Sequence, residues 1–132
     1  MSADITYLAY TALLTAILWI PYIIGQVAHG GMLTAEQYRD ISLRWEDMPP
    51  WLQRANRAHI NAVESFAPFA VLVLIAHSTG ISNATTEIAA AIYFWSRLAH
   101  AIVFLAGIPY LRTLLFVVGF GATIVIGWQV VA

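Results

Sequence analysis

The chain has 132 residues, of which 61% are hydrophobic and only 10% are charged, and its formal net charge is −1. A soluble domain would carry about a quarter charged residues, so this composition indicates an integral membrane protein. No basic surplus exists to neutralise a nucleic-acid backbone, and we expect no nucleic-acid partner. The absence of cysteine excludes disulfides, thiolate metal sites and a cysteine nucleophile.

Four apolar segments are long enough to cross a bilayer, which takes about 20 residues in a helix. We predict an all-α integral membrane four-helix bundle that forms a single domain over residues 1–132. Its spans are expected at about 5–28, 50–77, 84–106 and 110–131. Within the first span, Pro21 allows a kink, because its ring interrupts the helical hydrogen bonds.

The one long polar connection covers residues 29–52. Thr34 and Gln37 have the spacing of a capping box for a short surface helix. Trp45, Met48 and Trp51 among the charges indicate that this connection lies in the membrane interface.

The other boundaries carry turn and capping residues. Pro50 marks the start of the second span, since proline is favoured in the first turn of a helix. Residues 78–83 read as a short turn that ends in the capping residue Asn83, and Glu87 suits the following first turn. Gly107 and Pro109 end the third span.

The arginines predict the orientation of the spans. Arg39, Arg44, Arg54 and Arg57 lie in the first loop and at the entrance to the second span, and Arg112 flanks the third loop. The positive-inside rule places these two loops in the cytoplasm and both termini on the other side. We expect a multi-pass protein of a bacterial inner membrane rather than of the endoplasmic reticulum.

A polar ladder marks the second span. Arg54, Arg57, Asn61 and Glu64 fall on one helical face, within roughly 80° of arc. Each charged group at the centre of a spanning helix costs about 2.5 to 3.5 kcal/mol on insertion scales. Arg54 is close enough to the helix end to reach the headgroups, but Asn61 and Glu64 need partners inside the protein.

The third span supplies a possible partner. Arg97 lies at about the same depth as Glu64 on an antiparallel neighbour, so we predict a buried Glu64–Arg97 ion pair. This pair could have a purely structural role and hold the two helices together. Alternatively, Arg57, Asn61, His100 and Arg112 surround the same space and form a cavity for an anionic, peptide-like ligand.

The four histidines match no metal-binding motif, and we predict no metal site. His59 and His100 could share the cavity. His29 and His77 are expected at the membrane interface.

These residues resemble the signature of the MAPEG family, the membrane-associated proteins in eicosanoid and glutathione metabolism. The likeness rests on Arg54-x-x-Arg57-Ala-His59-x-Asn61-x-x-Glu64, followed by Pro68-Phe69. Arg97-x-x-His100 in the third span and Arg112 at the start of the fourth extend it over nearly the whole chain.

The resemblance implies a homotrimer of four-helix subunits that binds glutathione between neighbouring subunits near the cytoplasmic face. By motif, glutathione would be held by a set of polar residues and its thiolate would be stabilised by Arg112. The implied binding residues are Arg54, Arg57, His59, Asn61, Glu64, Arg97, His100 and Thr113. The implied activity is a transferase or peroxidase acting on lipophilic electrophiles or lipid hydroperoxides within membrane lipid.

The chain departs from the family pattern at Phe104, where many members have a tyrosine. One branch of the family does no chemistry and binds lipid. A non-catalytic lipid-binding or scaffold role is therefore the alternative hypothesis.

Overall fold

A computed structural model of the chain describes residues 1–30 and 48–132, and every regular element in these two stretches is an α-helix. The helices are α1 (Ala3–Ile17), α2 (Trp19–Gly30), α3 (Pro50–Ser78), α4 (Ala84–Ala106) and α5 (Pro109–Val131). The predicted capping box and most of the interfacial segment, including Arg39 and Arg44, lie outside the described residues.

Within residues 1–30 and 48–132, four helical stretches are long and apolar enough to cross a membrane. They are Ala3–Ala28, Pro50–Ser78, Ala84–Ala106 and Pro109–Val131, so each predicted span is found within two residues of its expected ends. The predicted all-α protein with four membrane spans is confirmed.

The first span is broken at Leu18, between α1 and α2. Pro21 causes this break, because it has no N–H for the carbonyl of Ile17 and its ring would clash with that carbonyl in a continuous helix. Beyond the break, Gly25 lets α2 approach the start of α3. A Cβ at Gly25 would overlap the ring of Trp51 and lie 2.7 Å from Leu52.

The turn between α3 and α4 has the predicted capping chemistry. The side chain of Asn83 accepts hydrogen bonds from the backbone N–H groups of Thr85 (2.8 Å) and Thr86 (3.1 Å). The Thr86 hydroxyl in turn accepts from the N–H of Asn83 (2.9 Å), which completes a capping box. At the other end of α4, Gly107 adopts the left-handed conformation (φ 80°) that ends a helix.

Helix α4 lies at the centre of the bundle and packs against α1, α3 and α5. Its buried residues recur every three or four positions and include Tyr93, Arg97 and His100. The Tyr93 ring stacks on Phe69 of α3 with 3.8 Å between ring centroids, and both residues belong to the apolar core. Because α4 is covered by its neighbours, it can carry polar side chains whose exposure to lipid would be energetically costly.

Small residues allow α5 to approach its neighbours. A Cβ at Gly119 would lie 3.0 Å from the Ser96 hydroxyl, and one at Gly127 would lie 3.4 Å from Leu72. These two glycines are therefore points of close helix packing. Gly121, by contrast, has open space beside it within the subunit.

A buried carboxylate joins the start of α1 to the α3–α4 turn. Asp4 is fully buried and accepts hydrogen bonds from the hydroxyls of Ser2 (2.5 Å), Thr86 (3.1 Å) and Ser82. The backbone N–H of Ile5 donates a further bond of 2.9 Å. Four donors thus satisfy the buried carboxylate, and their hydrogen bonds hold the start of α1 against the α3–α4 turn.

Candidate functional site

The polar ladder of α3 divides into two pairs with different surroundings. Arg57 and Glu64 are exposed, whereas Arg54 and Asn61 are partly buried and bond to α4. At 3.6 residues per turn, the exposed pair lies about 60° further round the helix than the inner pair. The four residues share a face, as predicted, but only half of that face meets the rest of the subunit.

Arg97 is paired with Asn61. Its guanidinium is 4% exposed and donates a hydrogen bond of 2.7 Å from Nη2 to the side-chain oxygen of Asn61. The predicted Glu64–Arg97 ion pair is therefore wrong. The amide at position 61 faces α4 more directly than the carboxylate at position 64 does, because the two side chains lie about 60° apart around α3.

Arg54 ties the entrance of α3 to the end of α4. Its Nε donates a hydrogen bond of 3.2 Å to the backbone carbonyl of Leu105. A Cβ at Gly107 would lie 3.3 Å from the guanidinium carbon, so the glycine leaves room for this side chain. Within the described residues, Arg54 therefore caps a helix end as well as bordering the candidate site.

His100 is buried beside Arg97 with an unsatisfied nitrogen. It is 3% exposed, and its ring packs 5.5 Å from that of Phe104 and 6.5 Å from that of Phe116. Its Nδ1 is the one buried side-chain nitrogen or oxygen in the described part of the chain that has no hydrogen-bond partner. A buried polar atom without a partner is rare and points to a missing ligand or water.

Arg112 at the start of α5 lies over an aromatic ring. Its guanidinium carbon is 4.7 Å from the centre of the Phe104 ring, within the range of a cation–π contact. Phe104 thus has Arg112 and His100 as neighbours, and its ring face contacts the guanidinium. Thr113, the next residue, is exposed on the subunit surface.

The two histidines that could share one cavity have different ring contacts. His59 packs against Tyr22 of the first span with 5.4 Å between rings, whereas His100 faces α5. No group of three metal-ligating side chains comes together within residues 1–30 and 48–132.

The geometry therefore assembles one polar region where α3 begins, α4 ends and α5 begins. It holds Arg54, Asn61, Arg97, His100 and Arg112, with Arg57 and Glu64 on its exposed margin. Its cations outnumber its carboxylates, and an anionic ligand would balance them.

Comparison with known proteins gives a family for the chain. The model of the MAPEG family matches residues 5–132. This chain belongs to the MAPEG family. The chain is 30% identical over 104 residues to microsomal glutathione S-transferase 1 of Homo sapiens, covering 78% of this chain and 63% of that protein.

The rat protein of the same name, from Rattus norvegicus, is 32% identical over 79 residues, which cover 59% of this chain and 51% of the relative. The chain thus spans between about half and two thirds of the length of these MAPEG relatives. The family assignment supports a membrane protein related to glutathione transferases.

Sequence reasoning missed the role of Phe104 as a support for Arg112. The signal was present in the spacing. Phe104 lies just before the Gly107 cap and Arg112 just after Pro109, so a tight turn between two helices brings the side chains together. In the sequence, this position is notable only as a phenylalanine where many family members have a tyrosine.

Proposed function

We propose that the protein is a membrane-bound glutathione-dependent transferase or peroxidase that acts on lipophilic electrophiles or lipid hydroperoxides. The observation that carries the proposal is the unpartnered Nδ1 of His100, buried among arginines at one end of the bundle. The MAPEG assignment and the names of the relatives support glutathione as the ligand.

The residues fit glutathione chemically. Glutathione is a tripeptide whose carboxylates outnumber its ammonium group, and arginine binds carboxylates through parallel hydrogen bonds. Arg57 and Glu64 are exposed and available to the carboxylate and ammonium ends of the peptide. The amide of Asn61 and the free nitrogen of His100 suit the peptide groups.

The further members of the proposed binding set are Arg54, His59, Arg97 and Thr113. Arg54 and Arg97 are held by bonds to Leu105 and Asn61, so they contribute fixed positive charge. Thr113 is exposed next to Arg112, where its hydroxyl is accessible. His59 packs against Tyr22 of the first span, so it would contact glutathione from the side of that span.

Arg112 is the proposed catalytic residue. A thiol with a pKa near 8.5 is mostly protonated at neutral pH, and an adjacent guanidinium favours the anion. Bound glutathione would supply this thiol. Its S–H proton passes to water, its sulfur bonds to an electrophilic carbon, and that carbon releases its leaving group together with the bonding electron pair. The ring face of Phe104 contacts the guanidinium, and Arg112 is only partly buried.

A homotrimer would explain the exposed half of the ladder. Arg57 and Glu64 are exposed on a membrane-spanning helix, and charged groups facing lipid are costly. A second copy of the chain packed against α3 would cover them, and closed cyclic symmetry is the usual form of such assemblies. The site would then lie between subunits on the cytoplasmic side of a bacterial inner membrane, with the termini opposite.

Ligand linkage provides the first test. Glutathione should raise the thermal stability of the detergent-solubilised protein, by about 2.7 kcal/mol when its concentration is 100 times the dissociation constant. The S-methyl derivative, which lacks the thiol proton, is a matched control for binding without thiolate formation. Conjugation of chlorodinitrobenzene then tests transfer, since attack of the thiolate on the ring carbon releases chloride.

The alternative is a non-catalytic lipid-binding or scaffold protein of the same family. Phe104 favours it, because this position offers no hydroxyl to a bound thiol. Absence of any stabilisation by glutathione, together with stabilisation by added lipid, would decide for this alternative.

A further inference from the structure

Three arginines lie close to the ends of the membrane spans. Arg54 is four residues inside the start of α3 and Arg112 is three residues inside the start of α5, so each lies about 5 to 6 Å from its helix end. Arg57 lies one turn further inside α3. Because the long side chain of arginine extends toward the membrane surface from such positions, all three guanidinium groups can contact the phosphates of the adjacent leaflet.

The protein uses few of the hydrogen-bond donors of these arginines. In the described part of the chain, only the Nε of Arg54 bonds to an acceptor, and no carboxylate pairs with Arg54, Arg57 or Arg112. Glu64, the carboxylate on the same face of α3, is seven residues from Arg57, which is about 10 Å along the helix axis. A phosphate group would satisfy these donors, since arginine binds phosphate through two parallel hydrogen bonds.

Exposed apolar side chains lie next to the arginines on the side of the membrane centre. Ile60 is 45% exposed one turn beyond Arg57, and Phe116 is 38% exposed one turn beyond Arg112. A ligand that contacts both levels carries an anionic group at the membrane surface and an apolar group within the bilayer. A phospholipid has this structure, whereas glutathione and inorganic phosphate have no apolar chain.

We propose that the headgroup of an anionic phospholipid, from the leaflet at this end of the bundle, binds Arg54, Arg57 and Arg112 and competes there with glutathione. The competition rests on the glutathione binding proposed above, whereas the lipid site does not. Net charge selects the lipid class, because a zwitterionic headgroup carries an ammonium group that arginine repels. Each arginine near a membrane surface strengthens the binding of anionic lipid about fivefold. The anionic lipid content of the leaflet then sets the glutathione concentration that the protein requires.

Short-chain phospholipids test this site in protein solubilised in dodecylmaltoside, a neutral detergent. Thermal stability is measured against the concentration of four probes, which are dihexanoylphosphatidylglycerol, dihexanoylphosphatidylcholine, glycerol phosphate and inorganic phosphate. Dihexanoylphosphatidylglycerol combines the anionic group with apolar chains, so it should stabilise the protein at the lowest concentration. An equal effect of the phosphatidylcholine, which is zwitterionic, would overturn the proposal. An equal effect of either phosphate without chains would also overturn it, because a free anion would then explain the binding.

Arginine variants assign the effect to the site. Arg54→Gln, Arg57→Gln and Arg112→Gln should each raise the concentration of dihexanoylphosphatidylglycerol for half-maximal stabilisation about fivefold. Gln129→Glu is the matched control, because it changes the net charge by the same amount at the other end of α5. It also keeps the side-chain oxygen that accepts a hydrogen bond of 3.0 Å from Asn83. Its half-maximal concentration should equal that of the wild type.

Unchanged values in the arginine variants would place the lipid elsewhere and overturn the proposal. Arg54 bonds to the end of α4, so its variant is the one most exposed to misfolding. Arg57 is exposed and bonds to no other described residue, and Arg57→Gln alone is sufficient for the decision.

Competition is measured by repeating the phosphatidylglycerol titration with glutathione present. At ten times the dissociation constant of glutathione, the half-maximal lipid concentration should rise about elevenfold, because each ligand excludes the other. An unchanged value in a protein that binds glutathione would overturn the competition. A protein that binds glutathione but not phosphatidylglycerol would overturn the lipid site and leave the proposed function standing. Arginine-dependent lipid binding without any glutathione binding would do the reverse, and the competition would fall with the proposed function.

Discussion

Replacing Asn61 with leucine should destabilise the bundle more than any change at Glu64. Asn61 is the one hydrogen-bond acceptor that the described residues offer to the guanidinium of Arg97, which is 4% exposed. Leucine has the same number of side-chain heavy atoms and the same branching at Cγ, so the main loss is the hydrogen bond. Bonds between neutral groups of membrane helices average about 0.6 kcal/mol, whereas those to charged groups contribute about 1.5 to 3 kcal/mol. Because the donor is charged, we expect the higher range.

The measurement is reversible unfolding in mixed micelles, followed as the fraction of denaturing detergent rises. Asn61→Asp keeps an acceptor in place and should retain the wild-type stability. Glu64→Gln should change the free energy of unfolding by no more than about 0.5 kcal/mol, as for other exposed positions. A larger loss for Glu64→Gln than for Asn61→Leu would refute the pairing seen here and restore the ion pair expected from helix depth.

Further predictions concern catalysis, topology and assembly. Arg112→Ala should lower kcat more than it weakens glutathione binding, and Arg57→Ala should do the reverse; an unchanged pH titration of the bound thiolate absorbance in Arg112→Ala would exclude its activating role. Phe104→Leu removes the ring that contacts Arg112 and should reduce kcat about 2- to 30-fold, in line with a cation–π contact of about 0.5 to 2 kcal/mol. Phe104→Tyr keeps the ring and should leave kcat unchanged. Ser2→Cys, introduced into this cysteine-free chain, should react with an impermeant thiol reagent only from the non-cytoplasmic side; labelling from the cytoplasm alone would reverse the topology. The mass in detergent should be that of a trimer, and a stable, folded monomer would contradict the assembly.

The fold could be predicted closely because lipid imposes simple requirements on the sequence. A spanning helix must be about 20 apolar residues long, and its ends are marked by proline, glycine and capping residues. Pro50, Asn83, Gly107 and Pro109 fulfil these roles in the structure. The break at Leu18 likewise follows from Pro21, so the local rules account for the course of the chain.

The partners of polar side chains were harder to predict. Depth along the helix and charge favoured Glu64 as the partner of Arg97. The side chains of Asn61 and Glu64 point about 60° apart around α3, however, and it is Asn61 that faces Arg97. Sequence spacing gives the angle between two residues of one helix, not the direction in which a neighbouring helix lies. The same limit concealed the contact of Arg112 with Phe104, which depends on how the turn at Gly107 orients two helices.

The buried carboxylate of Asp4 has a consequence for the order in which the protein is made. Its hydroxyl partners Ser82 and Thr86 follow it by about 80 residues, beyond the second span. During synthesis the first span therefore enters the membrane before these two donors exist. Until α3, the following turn and the start of α4 have been made, the carboxylate can be stabilised only by Ser2, the N–H of Ile5 and interfacial water. The first span is thus translated first but gains two of its four hydrogen-bond donors only after the second span has been made.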